Sequence, residues 1–348
     1  MFSVEPNHHK NDQNFKYMKV LNSIDEFEKT TQPVVVTMGS FDGVHQGHQL
    51  VLNQLKNIAD KNKALPVVIS FSPHPRIYFN PETDFKLLTT DSEKAYLLQQ
   101  QGIDYFILQR FDSDFARQTA EDFVRKLSEN LNMKHLLIGY DHRFGKDRKG
   151  DFKHIQSLES TYDFTTHQAD ILKKNDTGLS STLIRNQLLQ GDVKTANEFL
   201  GYPYFITGRV VKGNQLGQKL GFPTANIEVH MPDDQSRMTD DSFYDSSAKY
   251  KLIPQQGVYL VQSKIDGKDY YGMMNIGFRP TIDGKKQTKE VHFFDLDKDL
   301  YNKVLRISFL ERLRDEQKFP SLDALQKQLR QDAKTARNLI EKYSNQSL

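Results

Sequence analysis

The stretch that decides the fold runs Val34-Val-Val-Thr-Met-Gly39-Ser-Phe-Asp-Gly43-Val-His45-Gln-Gly-His48. It begins with a short β-branched run ended by glycine, which predicts a buried strand. After Val44, apolar residues recur at helical spacing as far as about Asn62. The glycine-rich segment therefore joins a strand to a helix, and both histidines lie where that helix begins.

The alternation of strands and helices continues to about residue 200. Further strands are predicted at 64–71, 104–108 and 135–138, and further helices at 92–102, 120–130, 182–190 and 193–200. Such alternation predicts an α/β domain in which helices cover a parallel sheet.

From Gly201 the apolar pattern changes from helical to alternating. It predicts strands at 205–212, 257–265, 270–276, 289–296 and 303–310, separated by turn signals such as Asp266-Gly267. These strands predict a small antiparallel β-barrel, and the apolar spacing after Pro320 predicts a C-terminal helix packed against it. We expect a mobile tail over 1–14, an α/β domain over 15–200 and a barrel domain over 201–348, with an exposed insertion near 231–251.

Composition excludes several kinds of site. The 348 residues include no cysteine, which excludes disulfides, thiolate zinc sites and cysteine nucleophiles. The net charge of +2 argues against general binding to nucleic acid or membrane surfaces. The chain has neither a long apolar run nor the apolar core of a signal peptide, so we expect a soluble, cytoplasmic protein.

The first glycine-rich turn has the features of a phosphate site. A helix start offers unpaired N–H groups and partial positive charge, while Gly39 and Gly43 let a ligand approach the backbone. His45 and His48 share one helix face and can donate hydrogen bonds to phosphate oxygens. The alternatives are a surface histidine pair or a metal pair, but the sequence offers no third metal ligand.

A second anion-binding motif follows at Ser180-Ser-Thr182-Leu-Ile-Arg185. Its hydroxyls can cap a helix while Arg185 reaches an anion, although a capping serine alone is usually structural. Together the two motifs can flank a triphosphate and stabilise the charge that develops as pyrophosphate leaves, without a covalent nucleophile.

The second domain carries a candidate magnesium site and a candidate base. Thr224 and Asn226, in Gly221-Phe-Pro-Thr-Ala-Asn226, offer hard oxygen ligands, although the same stretch could be an ordinary turn. The loop 212–221 can fold over phosphates, or be a flexible hairpin. Glu290 and His292 point to one strand face, where Glu290 could act as a general base or be an exposed member of a cross-strand pair.

Together these motifs resemble the bacterial bifunctional riboflavin kinase/FAD synthetase family from Thr31 to Arg337. The first half adds Ser70-Phe-Ser-Pro-His-Pro75, Arg110-Phe-Asp-Ser-Asp-Phe-Ala116 and Gly139-Tyr-Asp-His-Arg-Phe-Gly145. The second half adds Asn275-Ile-Gly-Phe-Arg-Pro-Thr281 and Leu313-Arg-Asp-Glu-Gln-Lys-Phe319. The resemblance implies a Rossmann-like nucleotidyltransferase domain followed by a riboflavin kinase barrel.

The resemblance also implies roles for single residues. His45, His48 and Arg185 would act on ATP phosphates and Glu290 would activate the ribityl hydroxyl. In the first domain the flavin- or nucleotide-binding residues would be Gly39, Ser40, Phe41, Asp42, Gly43, Phe71, Pro73, His74, Asp141, Phe144, Gly145, Ser181 and Thr182, with Phe71, Pro73 and His74 beside the isoalloxazine ring. In the second domain they would be Gly213, Lys219, Gly221, Pro223, Arg314 and Phe319, with Thr224 and Asn226 holding Mg²⁺.

The resemblance implies two ATP- and Mg²⁺-dependent reactions: riboflavin is phosphorylated to FMN, and FMN is adenylylated to FAD. The expected partners are these small molecules, without nucleic acid or membrane, for a monomer or weak homo-oligomer. His142, Leu216, Gln218 and Asn302 depart from the residues common in the family. Two alternatives follow: an enzyme that keeps one activity, or a flavin- or nucleotide-responsive regulator whose barrel binds RNA.

Overall fold

A computed structural model describes residues 18–139, 145, 150–170, 173–174, 177–213, 216–229, 245–281 and 284–346. The chain divides into two compact units, one ending at Ser181 and the next beginning at Thr182. The expected domain boundary after residue 200 stays a prediction, and the expected tail over 1–14 lies outside the described residues.

A six-stranded parallel sheet forms the centre of the first unit, in the order β1-β4-β3-β2-β5-β6. This confirms the predicted parallel sheet. Its strands are β1 (Lys19–Leu21), β2 (Val34–Met38), β3 (Leu65–Ser72), β4 (Tyr105–Arg110), β5 (Met133–Ile138) and β6 (Thr165–Gln168). The two edge strands, β1 and β6, were not predicted, because they are short and one of them is largely polar.

Helices connect the strands of the sheet. They are α1 (Gln46–Asn62), α2 (Pro75–Phe79), α3 (Asp91–Gln100), α4 (Ser113–Arg117), α5 (Ala120–Leu131), α6 (Phe152–Gln156) and α7 (Glu159–Tyr162). A short ribbon of β7 (Lys173–Lys174) and β8 (Thr177–Gly178) follows. The starts of α3 and α5 are fixed by capping boxes, in which Thr90 pairs with Glu93 and Thr119 with Asp122.

The core of this unit lies between the sheet and α5. All five residues of β2 are buried. Phe123, Val124 and Leu127 of α5 pack into the same apolar cluster. Burial on both faces explains the continuous β-branched run of β2, and it fixes the point at which Gly39 leaves the carboxyl end of the sheet.

The second unit contains a closed antiparallel barrel in the order β10-β13-β12-β11-β14-β9, as the sequence predicted. Its strands are β9 (Phe205–Val211), β10 (Ala225–Glu228), β11 (Gly257–Ile265), β12 (Lys268–Thr281), β13 (Gly284–Phe293) and β14 (Val304–Arg314). Two helices precede the barrel, α8 (Ser181–Leu189) and α9 (Val193–Leu200). The first residue of α8, Ser181, is the last residue of the first unit. A third helix, α10 (Leu216–Lys219), lies between β9 and β10 in the chain.

The C-terminal helix α11 (Leu322–Gln346) packs against the barrel, which confirms the prediction. Ala336 is fully buried there, in the cluster that holds Val258 and Phe294. Among the residues that the structure describes, no helix is long and apolar enough to span a membrane.

The expected insertion at 231–251 is described only at its end. Residues 230–244 lie outside the described part of the chain. The next residues form a 3₁₀ turn at Ser246–Tyr250. The expectation of exposure is wrong for Ser247 and Lys251, each 5% exposed, because the Lys251 ammonium lies 4.4 Å from the centre of the Tyr204 ring.

Candidate active sites

The loop after β2 makes a sharp turn before α1. Its backbone has positive φ at Phe41 (44°), Gly43 (86°) and Val44 (36°). The buried Asp42 carboxylate fixes this turn, because its Oδ1 accepts hydrogen bonds from the backbone N–H groups of Leu88 (2.9 Å) and Thr89 (3.0 Å). The structure thus gives Asp42 a role in holding the loop that the sequence did not suggest.

His45 and His48 lie together at the start of α1. His45 is the N-cap residue, and its Nδ1 accepts a hydrogen bond from the backbone N–H of His48 (3.4 Å). The two rings stack with centroids 3.7 Å apart, and the ring of Phe41 lies 5.2 Å from that of His48. Since Nδ1 of His45 is an acceptor, its imidazole carries the proton on Nε2.

The imidazole of His48 also carries its proton on Nε2. Its Nδ1 is buried and has no hydrogen-bond partner among the described residues, so a proton on that atom would be unsatisfied. Burial is the main cause that holds the pKa of His48 well below its ordinary value, and the neighbouring His45 and Lys94 lower it further. His48 is therefore neutral at pH 7, and both rings are Nε2–H donors.

A buried polar chain lies under the loop. Ser70 Oγ donates to the carbonyl oxygen of Ser40 (3.1 Å), and Lys94 Nζ donates to Ser70 Oγ (3.0 Å). Lys94 also lies 3.4 Å from Asp91 Oδ1, while Ser72 Oγ donates to Asp91 Oδ2 (2.6 Å). Sequence reasoning missed Lys94 and Asp91, although Ser70 opens one of the quoted motifs.

The residues expected beside the flavin lie at the end of β3. Phe71 packs against Phe111 and Phe115, with ring centroids 5.9 and 5.3 Å apart. Pro73 follows a cis peptide bond, and His74 caps α2 by accepting from the Arg76 N–H (3.1 Å). Phe111 and Phe115 belong to a motif quoted above, but no spacing in the sequence indicates that they lie beside Phe71.

The remaining predicted residues of the first site are only partly placed. Ser181 Oγ donates to the carbonyl oxygen of Asp42 (2.8 Å), which brings it to the loop. Gly145 has φ of 75°, and a Cβ there would lie 2.6 Å from the backbone nitrogen of Ala120, so only glycine fits. Thr182 and Arg185 lie on α8 in the second unit, and their part in this site stays a prediction. Asp141, His142 and Phe144 lie outside the described residues.

A pocket in the second unit is lined by both apolar and polar residues. The apolar lining comes from Leu220, Phe222, Val258, Met273, Leu325 and Leu329. The polar lining includes Thr224, Asn275, Thr288, Glu290, His292 and Arg314. Such a pocket fits a flat, largely apolar ring system that carries a polar chain.

Of the three residues expected to carry the second reaction, Thr224 and Glu290 line this pocket, and Asn226 is paired with Glu290 in the barrel. Thr224 Oγ1 donates to Glu290 Oε2 (3.5 Å), and Asn226 of β10 lies opposite Glu290 of β13. A Cβ on Gly213 would lie 2.0 Å from Asn226 Nδ2, so glycine is required for this close approach. Hydroxyl, amide and carboxylate oxygens are the ligands that Mg²⁺ prefers, and the donor set therefore fits that ion.

His292 fixes the turn that carries Thr224. Its Nδ1 lies 2.8 Å from the carbonyl oxygen of Pro223, to which it donates. The ring meets those of Phe222 and Phe294 edge-on, with centroids 5.1 and 5.7 Å away. Burial lowers the pKa of His292, so the ring is neutral at pH 7. The sequence paired His292 with Glu290 on one face but did not show this contact.

Arg314 borders the pocket and is held from α11. Its guanidinium forms a two-pronged ion pair with the buried Asp332, with Nε–Oδ2 and Nη2–Oδ2 distances of 2.9 and 2.8 Å. The ring of Phe319 lies 5.7 Å from it. Gly221 has φ of 81° and begins the turn before Thr224. Gly217 and Leu220 of the predicted loop line the pocket, while the side chain of Lys219 lies outside the description.

Comparison with known proteins matches a different family to each part of the chain. The FAD synthetase family matches residues 27–183, and the riboflavin kinase family matches residues 200–340. The chain is 35% identical to a bifunctional riboflavin kinase/FMN adenylyltransferase of Haemophilus influenzae, over 92% of this chain and 98% of that one. It is 32% identical to a protein of the same description from Bacillus subtilis, over 89% and 93% of the two chains.

A solved structure has the same fold. It comes from Streptococcus pneumoniae, is described as a macrolide-efflux protein, and superposes with a TM-score of 0.78 and 30% identity over 92% of this chain and 99% of that one. Matches over nearly the full length of its relatives settle the family. The chain belongs to the bifunctional riboflavin kinase/FMN adenylyltransferase family.

Proposed function

We propose that the barrel phosphorylates riboflavin to FMN and that the first unit then adenylylates FMN to FAD. The observation that carries this proposal is that each unit contains a different set of side chains, suited to one of the two reactions. Two neutral imidazoles stand at a helix start in one unit, and in the other a carboxylate, Glu290, lies beside Thr224 and Asn226.

In the kinase reaction, Glu290 accepts the proton of the terminal ribityl hydroxyl. The oxygen attacks the γ-phosphorus of ATP, and the bond from that phosphorus to the ADP oxygen breaks. Thr224 and Asn226 would hold Mg²⁺, which would offset the negative charge of the phosphates. The apolar residues that line the pocket take the isoalloxazine ring, and Arg314 and Phe319 also line it.

In the adenylylation, a phosphate oxygen of FMN attacks the α-phosphorus of ATP and the bond to pyrophosphate breaks. His45 and His48 donate their Nε2–H groups to phosphate oxygens, and the start of α1 adds its backbone N–H groups. We assign Ser181, Thr182 and Arg185 to the same phosphates, and Phe71, Pro73 and His74 to the flavin. We expect this reaction also to need Mg²⁺.

The proposal extends to the setting of the enzyme. Its partners are the small molecules riboflavin, FMN and ATP, and we assign no nucleic acid or membrane to it. We expect a cytoplasmic enzyme, because both reactions consume ATP, and a monomer or weak homo-oligomer.

The test is a chromatographic time course with the purified chain, ATP and Mg²⁺, started once from riboflavin and once from FMN. We expect FMN to appear before FAD in the first reaction, FAD to form directly in the second, and EDTA to stop both. FMN without FAD from either start would mean that the kinase alone is active. Absence of turnover together with salt-dependent RNA binding would favour the regulator instead.

A further inference from the structure

A buried lysine with no part in the proposed mechanism lies under the phosphate loop. Lys94 belongs to the first turns of α3 and is 4% exposed. Burying an ammonium is costly unless charged and polar groups surround it, so lysines are seldom placed in this way without a reason.

The contacts of Lys94 lead to the loop. Its Nζ donates to Ser70 Oγ (3.0 Å), and Ser70 Oγ donates to the carbonyl oxygen of Ser40 (3.1 Å). Two hydrogen bonds therefore connect the ammonium to the backbone of the residue that follows Gly39. Asp91 divides its carboxylate oxygens between Lys94 (3.4 Å) and Ser72 (2.6 Å).

The charge balance of the site calls for such a group. His45 and His48 are neutral donors by the argument above, so they bring no net charge to a triphosphate that is strongly negative. A positive charge in the low-dielectric interior acts over several ångströms with little screening. The Asp91 carboxylate, 3.4 Å from Lys94 Nζ, offsets part of this charge. Lys94 still lowers the pKa of His48, after burial and the neighbouring His45.

We propose that Lys94 is a positioning residue of the adenylyltransferase site: it holds Ser40 through Ser70 and places a fixed positive charge under the phosphate loop. The proposal rests on the function proposed for this unit. A lysine that only stabilised the fold would leave the kinetic constants for ATP unchanged in the folded variant.

The test uses three substitutions in the full chain. Lys94→Met removes the charge and keeps the length of the side chain. Ser70→Ala cuts the link to Ser40 and leaves the charge in place. Lys56→Met is the matched control, because Lys56 is a half-buried lysine of α1 that bonds to the carbonyl oxygen of Gln101 (2.7 Å), away from the loop.

For each variant, FAD formation from FMN is measured against ATP concentration, and the ring of His48 is titrated by NMR. We expect Lys94→Met to raise the KM for ATP about tenfold and to raise the pKa of His48. We expect Ser70→Ala to lower kcat about fivefold without raising that pKa. Lys56→Met should match the unsubstituted chain, and riboflavin kinase activity should stay constant throughout.

An unchanged KM for ATP in Lys94→Met would overturn the proposal, as would equal effects of Lys94→Met and Lys56→Met. If Lys94→Met does not fold, Ser70→Ala is the deciding variant. A lowered kcat for FAD formation supports the proposal, and a kcat equal to that of the unsubstituted chain overturns it. Failure of the unsubstituted chain to convert FMN to FAD would overturn the proposed function and this inference with it.

Discussion

The candidate residues of the two sites differ in how they handle protons: the histidines donate hydrogen bonds, and the glutamate can accept a proton. His45 and His48 are neutral rings that can donate hydrogen bonds from Nε2. His45 Nδ1 accepts the N–H of His48, and the buried His48 Nδ1 has no partner within the described part of the chain. Glu290 is a carboxylate that can receive a proton beside Thr224. Because each group is proposed to serve only one reaction, changing it should remove one activity and leave the other.

His48→Ala is expected to reduce FAD formation from FMN about 10²- to 10³-fold, the usual effect of removing one donor from a developing charge. FMN formation from riboflavin should keep its rate. Product analysis from each flavin measures both. Equal loss of both activities in a folded chain would contradict the assignment of His48.

Glu290→Gln is expected to lower FMN formation about 10²- to 10⁴-fold, since the amide cannot accept the hydroxyl proton. FMN supplied from outside should still become FAD at the unsubstituted rate, which is the control for folding. Kinase activity close to that of the unsubstituted chain would remove Glu290 from the mechanism.

Local sequence patterns predict the residues to which the two reactions are assigned, and they miss the contacts that hold those residues in place. His45, His48, Thr224 and Asn226 are visible because each pair is only two or three residues apart. Lys94 reaches Ser70 across 24 positions, and Asp42 reaches Thr89 across 47. Contacts of that separation depend on the packing of the sheet and its helices, which no local pattern encodes.

Among the elements, α11 contributes to the barrel through two ion pairs that differ in burial. Arg314 and Asp332 are 19% and 4% exposed, and Gln328 donates a further bond to Asp332 (2.8 Å). Arg337 and Asp295 are 53% and 76% exposed. Water screens the second pair but cannot reach most of the first, so the two should differ in their effect on stability.

Asp332→Asn is expected to lower the free energy of unfolding of the barrel by about 3–5 kcal/mol, because it leaves a largely buried guanidinium without its counter-charge. Asp295→Asn is the matched control and should cost at most about 1 kcal/mol. Denaturant unfolding of the two variants measures the difference, and similar losses in both would contradict the role given to Asp332.

The edge of the sheet should make the first unit sensitive to acid. His135 Nδ1 lies 3.2 Å from His167 Nε2, between β5 and β6. Burial lowers the pKa of each ring, and the charge of His167 lowers that of His135 further. The unfolded chain then binds more protons near the ordinary imidazole pKa of about 6.5, so stability is lost as the pH falls through that value.

We expect His167→Gln to lose less stability than the unsubstituted chain when the pH falls from about 7.5 to about 5.5. His154→Gln, at an exposed position of the same unit, controls for the loss of a histidine. Denaturant unfolding at the two pH values checks this. An identical loss in His167→Gln and the unsubstituted chain would exclude the pair as a source of acid sensitivity.

Sequence patterns predict the elements with a strong period and miss the weak ones. The apolar run of β2 and the helical spacing of α5 are unambiguous, and both elements form close to the predicted bounds. Strand β10 was missed, because Pro223-Thr-Ala-Asn226 has the composition of a turn. Its strand conformation comes from pairing with β9 and β13.

At the scale of the whole molecule, the chain joins two units that each contain a site of their own. The FAD synthetase match ends at residue 183 and the riboflavin kinase match begins at residue 200. The described residues of the first site lie at or before Ser181, except Thr182 and Arg185, which are assigned to it from the second unit. Glu290, Thr224 and Asn226 also lie in the second unit. The central claim is therefore that the two reactions are independent and that FMN links them.

The most direct measurement mixes the two variants, each of which is expected to have lost a different one of the two activities. His48→Ala alone should stop at FMN, and Glu290→Gln alone should leave riboflavin unchanged. An equimolar mixture with riboflavin, ATP and Mg²⁺ should form FAD, because FMN released by the first chain is adenylylated by the second. FMN that accumulates in the mixture without FAD, while Glu290→Gln converts added FMN, would contradict the account.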